Sequence, residues 1–161
     1  MRRIYFDGGT WKAKLVIIDL DMPKFIIKRL RHKERDRGEI TASLMESFAF
    51  SQALLHARST AEPDEELVFV TDSLHLAQVT ENVLVEGFEF KQDRKKISHS
   101  ILNIIKLIDM IPNEIQITAV EREHNIAGQV LERIRYRGNR SARKWHKLAV
   151  FKKAKGVQGR T

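Results

Sequence analysis

Apolar and polar positions alternate from the start of the chain. Ile4 and Phe6 interleave with Arg3, Tyr5 and Asp7 ahead of Gly8, Gly9 and Thr10, and this two-residue period predicts a strand that the glycines then break. Residues 14–21 (KLVIIDLD) and 25–30 (FIIKRL) predict two more strands, joined by a hairpin at Asp21-Met22-Pro23-Lys24. The polar run 32–39, which includes Gly38, is a connection. Over residues 41–58 the period becomes helical through Leu44, Phe48 and Leu55, with Thr41 or Ser43 as N-cap. Residues 66–73 (ELVFVTDS) are almost continuously apolar, as a strand covered on both faces requires.

The second half repeats the alternation of element types. Residues 74–81 are helical and Gly87 interrupts them; residues 93–110 form a second long helix whose stripe is Ile97, Ile101, Ile104, Ile105 and Ile108. Pro112 and Asn113 stop it, and residues 114–120 (EIQITAV) predict the last strand. A short helix follows over residues 126–135, and Gly138-Asn139 closes the compact domain. Beyond it, Ala142, Trp145, Leu148 and Phe151 recur every three residues among basic ones, a basic amphipathic helix whose Trp145 either packs on the body or stacks on a base. The pattern is that of an α/β protein, with one domain over residues 1–137 and a basic extension over 138–161.

Composition narrows the class. At 161 residues and 42% hydrophobic content, the chain is long enough for one sizeable core. No apolar run nears the roughly 20 residues of a membrane span, and the absence of cysteine excludes disulfide scaffolds and thiolate metal sites. A cytoplasmic, monomeric protein is the expectation. The net charge of +8 is uneven: from Arg133 onward there are eleven Lys or Arg and no acid, leaving 18 basic against 21 acidic residues before it. A slightly acidic body with a basic tail suits a polyanionic partner, nucleic acid before membrane, with a merely solubilising tail as the plain alternative. Arg140, Arg143, Lys144 and Trp145 are the candidate contacts there.

Three acidic residues carry the candidate chemistry. Asp7 ends the first strand before bare backbone at Gly8 and Gly9, which suits a cation facing a phosphate, although Asp-Gly-Gly also makes ordinary turns. Glu46 lies early in the first long helix beside Ala49, Phe50 and Ala53, either facing inward or complementing the helix dipole. Asp72 ends the buried strand, at the edge where open α/β sheets bind ligands, or else caps the following helix.

Four segments together resemble the type 1 ribonuclease H family over roughly residues 3–135. Tyr5-Phe6-Asp7-Gly8-Gly9 is similar to its first-strand Asp-Gly motif, and Thr41-Ala42-Ser43-Leu44-Met45-Glu46 to its Thr-Asn-Asn-x-x-Glu. Val70-Thr71-Asp72-Ser73 contains its Thr-Asp-Ser, and Val120-Glu121-Arg122-Glu123-His124-Asn125 before a helix resembles its last segment. The resemblance implies a mixed five-stranded sheet, three antiparallel strands then two parallel, flanked by helices. It implies two Mg²⁺ (or Mn²⁺) ions held by Asp7, Glu46 and Asp72, and hydrolysis of the RNA strand of RNA/DNA hybrids. Substrate contacts would fall to Gly8, Gly9, Thr10, Ser43 and Ser73, with discrimination of RNA through its 2′-hydroxyls. His124 matches a position that assists turnover in some members, and as a lone histidine before a helix it also suits a surface or capping residue.

The family's fourth carboxylate aligns with Gln129, which brings a neutral oxygen where a charge is usual. This predicts weaker binding of one ion and slower hydrolysis, with Glu132 or Glu123 as compensating acids. Two other readings follow: a catalytically impaired member that holds nucleic acid without cutting it, and a nuclease of this fold acting on DNA.

Overall fold

The computed structural model describes residues 1–22, 25–30, 40–86 and 99–158, with the side chains described up to residue 144. The hairpin tip Pro23-Lys24, the connection at 32–39, Gly87, the start of the helix expected from residue 93, and the side chains of Trp145, Leu148 and Phe151 lie outside the described residues.

Strands β1 (Arg2–Gly9), β2 (Lys14–Asp19) and β3 (Phe25–Arg29) precede helix α1 (Ala42–Thr60), strand β4 (Leu67–Thr71) and helices α2 (Leu74–Glu86) and α3 (His99–Asp109). Strand β5 (Ile115–Ala119) and helix α4 (Ile126–Gln158) complete the chain. The sheet order is β3-β2-β1-β4-β5. β1 pairs antiparallel with β2, and β2 with β3, while β4 lies parallel to both β1 and β5. The mixed sheet expected from the sequence is therefore the one observed.

The two-residue period of β1 divides the core. Ile4 and Phe6 face a cluster built with Leu67 and Phe69 of β4 and with Ala49, Phe50, Leu76 and Ile104 from α1, α2 and α3. Tyr5 faces the opposite side, where Val16 and Ile18 of β2 meet Ala127, Val130 and Ile134 of α4. Within the first cluster, Phe6 stacks on Phe50 at 4.9 Å between ring centroids, and Phe50 meets Phe69 edge-on at 5.4 Å. Such pairs contribute about 0.5–1.5 kcal/mol beyond their burial. Their placement matters more than their energy, because the three rings stand on β1 and α1, which carry Asp7 and Glu46, and on β4, which leads into Asp72.

Two expectations are corrected. Gly8 and Gly9 do not break the strand; they continue β1 opposite Leu15 and Lys14. A side chain on Gly8 would begin 2.2 Å from the carbonyl oxygen of Met45, so this glycine admits the backbone of α1, where the sequence suggested a ligand. Helix α4 also outruns the expected residue 135. Gly138, expected to close the compact domain, instead kinks the helix at φ 82°, and the helical path resumes to Gln158. Ala142, from the basic stretch, is fully buried beside Val16 and Val130. Among the described residues, no helix is long and apolar enough to cross a membrane.

Candidate functional site

At the carboxyl end of β1, between α1 and the first turns of α4, lies a cleft of about 320 Å³. Asp7, Glu46 and Asp72 all line it. Each is placed by a different element, and each plain alternative reading is weakened locally. Helix α1 starts at Ala42 and has no acid in its first turn, so Glu46, one turn further on, is not a dipole-complementing residue. Thr41 is the N-cap, its hydroxyl accepting from the Leu44 amide at 3.1 Å. At the end of β4 the cap is Ser73, whose Oγ accepts from the Leu76 amide at 3.3 Å, which leaves Asp72 out of that role.

The cleft is electrostatically frustrated. Asp7 is pushed up to about 7, first by burial and then by the negative charges of Asp72 and Glu46; a hydrogen bond from the Gly8 amide and the charge of Arg122 offset only part of this. Asn125, fully buried, donates through Nδ2 to the Phe6 carbonyl at 3.1 Å and, at 3.4 Å, to Asp72 Oδ1. It thus ties the end of β1 to the residue following β4, while its own Oδ1 has no hydrogen-bond partner. Helix α4 crosses close above: a Cβ on Gly128 would lie 3.1 Å from Asp7 Oδ2.

The other candidates divide. Gly8, Gly9 and Thr10 line the cleft beside the carboxylates. Ser43 is exposed on α1 and is not among the cleft-lining residues, and the Ser73 hydroxyl is engaged in its cap. Gln129 does not join the three acids. Its amide donates to the Glu123 carbonyl, and it lines an adjoining, more open cleft with Arg133 and Arg137 that shares Glu132 and Tyr136 with the main one. Glu132, one turn beyond Gly128, does line the main cleft. His124 is exposed in a 3-10 turn (Arg122–His124) outside it. Arg140 and Lys144 are exposed beyond the kink, and the Arg143 guanidinium lies 5.8 Å over the Phe25 ring. Trp145 is outside the described side chains. Sequence reasoning passed over Trp11, Arg122, Arg135 and Tyr136, which also line the cleft. The only signal for Arg122 was its place in the run before Asn125, where its alternation with Glu121 and Glu123 reads as a solvated stretch.

No family model matches the chain, and no curated protein sequence does. Solved structures do. A ribonuclease H1 designated LC11, held in complex with an RNA/DNA hybrid, is similar over 78% of this chain and 88% of its own, with a TM-score of 0.57 and 18% identity. Ribonuclease H1 from the halophilic archaeon Halobacterium salinarum matches 81% of this chain and 92% of its own, with a TM-score of 0.52 and 17% identity. The foamy viral protease-reverse transcriptase, in complex with double-stranded DNA, reaches a TM-score of 0.57 at 18% identity, over 80% of this chain and 89% of that one. This chain has the ribonuclease H-like fold.

Within that fold, four carboxylates line the cleft, Asp7, Glu46 and Asp72 with Glu132 from α4, and the unpartnered Oδ1 of Asn125 is buried behind Asp72. Hard divalent cations take such donors, and a cation would offset both the burial and the neighbouring negative charges that raise Asp7. Among the described residues, no three histidine or acidic side chains are drawn together tightly enough to hold an ion as they stand. The donors are of the kind that Mg²⁺ or Mn²⁺ takes, although as placed they do not form an ion-holding group.

Proposed function

We infer that this ribonuclease H-like chain is a divergent ribonuclease H, a metal-dependent endonuclease that hydrolyses the RNA strand of RNA/DNA hybrids. One observation carries the reading: acids from β1, α1 and the end of β4 converge on one cleft, where burial and then the charges of Asp72 and Glu46 raise Asp7. Two divalent ions bound there would supply an activated water and stabilise the departing sugar oxygen.

The chain's own residues do the rest. Asp7, fixed on a central strand and stacked beneath Gly128, is the rigid member. Asn125 restrains Asp72 from behind, a supporting interaction of the kind whose removal costs about 10–100-fold in metal affinity or activity. Arg122 brings positive charge to the cleft, where a phosphate would meet it.

The test is cleavage of labelled RNA/DNA hybrid, duplex DNA and duplex RNA in Mg²⁺ and then Mn²⁺, with Asp72→Asn alongside. Hybrid cleavage that falls more than about a hundredfold in the variant is the expected result. Cleavage of duplex DNA alone would replace the reading with that of a DNA nuclease. A second reading, binding without cutting, is favoured by Gln129, a neutral residue bonded to the Glu123 carbonyl and not among those lining the main cleft. It predicts hybrid bound but intact in both metals.

A further inference from the structure

Next to the carboxylate cleft, the turn from β1 to β2 gathers positive charge around an aromatic ring. Lys12 Nζ lies 4.8 Å and Lys14 Nζ 5.4 Å from the centroid of Trp11, and Trp11 itself lines the cleft. Across the sheet Lys14 pairs in register with Arg29, so the third cation stands on the same edge. Arg29 Nε donates to the Lys12 carbonyl at 3.0 Å, which binds the group into one unit. The Lys14 ammonium is held below the ordinary lysine range by burial and then by the charges of Lys12 and Arg29, both positive.

The backbone is shaped to hold this cluster. Lys12 and Ala13 are consecutive non-glycine residues in the left-handed region, at φ 51° and 47°, a conformation that costs about 1–2 kcal/mol per residue. It is over-determined by its surroundings: Ala13 is buried against Leu30 and Met45, its amide donates to the Thr10 carbonyl, and its carbonyl accepts from Leu30. Strain kept in place this way is characteristic of functional turns. This turn holds two lysines over one ring, with Arg29 bonded to the backbone between them.

We propose that Trp11, Lys12, Lys14 and Arg29 form a phosphate-binding rim that grips the nucleic-acid backbone beside the cleft. Lys12, Lys14 and Arg29 neutralise phosphates, and the Trp11 ring, packed on the core, holds the two lysines at the cleft. The rim rests on the nucleic-acid reading of the adjoining cleft but not on cleavage.

The experiment is the salt dependence of binding of a labelled RNA/DNA hybrid by the full chain, for wild type, the double variant Lys12→Gln/Lys14→Gln and Lys106→Gln. Lys106 is an exposed lysine on α3, away from the cleft. Removing a cation that neutralises one phosphate reduces the slope of log K against log[salt] by about 1, so the double variant should flatten by about 2 and Lys106→Gln not at all. Gln keeps most of the side-chain stem, and equal melting temperatures for the three proteins confirm that the fold is intact. An unchanged slope in the double variant overturns the rim, as does equal flattening in Lys106→Gln. The two readings separate cleanly: hybrid bound but uncut with a flattened variant slope keeps the rim and removes the nuclease, whereas cut hybrid with an unchanged slope does the reverse.

Discussion

The two ends of the central strands treat a buried carboxylate in opposite ways. At the amino end of β1, Asp19 of β2 is 2% exposed and surrounded by donors. Arg2 Nε reaches its Oδ2 at 2.9 Å and His56 Nε2 at 2.8 Å, while the Asp21 amide donates to Oδ1 at 3.1 Å. Arg2 also bonds Glu65 at 3.0 Å and Thr60 at 2.7 Å. Burial alone would raise Asp19, but the hydrogen bonds from His56 and Arg2 and the charge of Arg2 outweigh it and hold the carboxyl below the usual range. At the carboxyl end, Asp7 meets two further acids and is raised to about 7. One end is a satisfied network that joins β1, β2 and α1; the other stores repulsion that a bound cation would release. The first serves stability, and the second is the end to which the proposed function is assigned.

Several substitutions should break this contrast, the largest at the satisfied end. Arg2→Ala leaves Asp19 and Glu65 without their main partner and should cost about 3–5 kcal/mol by denaturant unfolding, since truncating one member of a buried pair strands the other. Asp7→Asn should do the opposite. A carboxyl at about 7 against an ordinary 3.8 corresponds to a gain on the order of 4 kcal/mol above pH 8, with cleavage abolished.

The pH dependence follows with a definite sign. Because Asp7 is raised in the folded state, its contribution is fully present below about pH 4 and is lost as the pH rises through 7. Asp19, lowered, contributes fully above the ordinary carboxylate range and is lost only as the pH falls through its folded value. Between pH 4 and 7 the metal-free wild type should therefore lose stability by up to about 1.4 kcal/mol per pH unit, and Asp7→Asn should be flat there. Equal slopes would show that Asp7 is not raised.

Gly8→Ala comes next in size. Its Cβ would meet the Met45 carbonyl at 2.2 Å, a backbone atom on a packed helix, for about 1–3 kcal/mol. Gly128→Ala, 3.1 Å from Asp7 Oδ2, should be milder in stability and should act mainly on metal affinity.

Much of the functional end was legible because its residues break local patterns. An acid closing an apolar strand, as Asp7 and Asp72 do, has no packing reason to be there, and Glu46 stands among alanines and phenylalanines. The sheet was legible for the same cause: strict alternation on β1 assigns Ile4 and Phe6 to one face and Tyr5 to the other. The satisfied end was not. Arg2 reads as a charged leader and Asp19 as one polar position in a strand, and only the fold brings them together with His56 from α1. Gly8 both lines the cleft and admits the backbone of α1, and only the second role was hidden in the sequence. Gln129 was placed by counting along a motif, whereas the helix turns Gly128 and Glu132 toward the cleft.

The most direct test is metal-dependent stability, free of any assay for cleavage. Melting curves at pH 8 with increasing Mn²⁺ or Mg²⁺ should rise for the wild type, by about 2.7 kcal/mol at a concentration a hundredfold above Kd, and stay level for Asp7→Asn. No rise in the wild type, or an equal rise in both proteins, would contradict the claim that these three acids form one cation-binding unit.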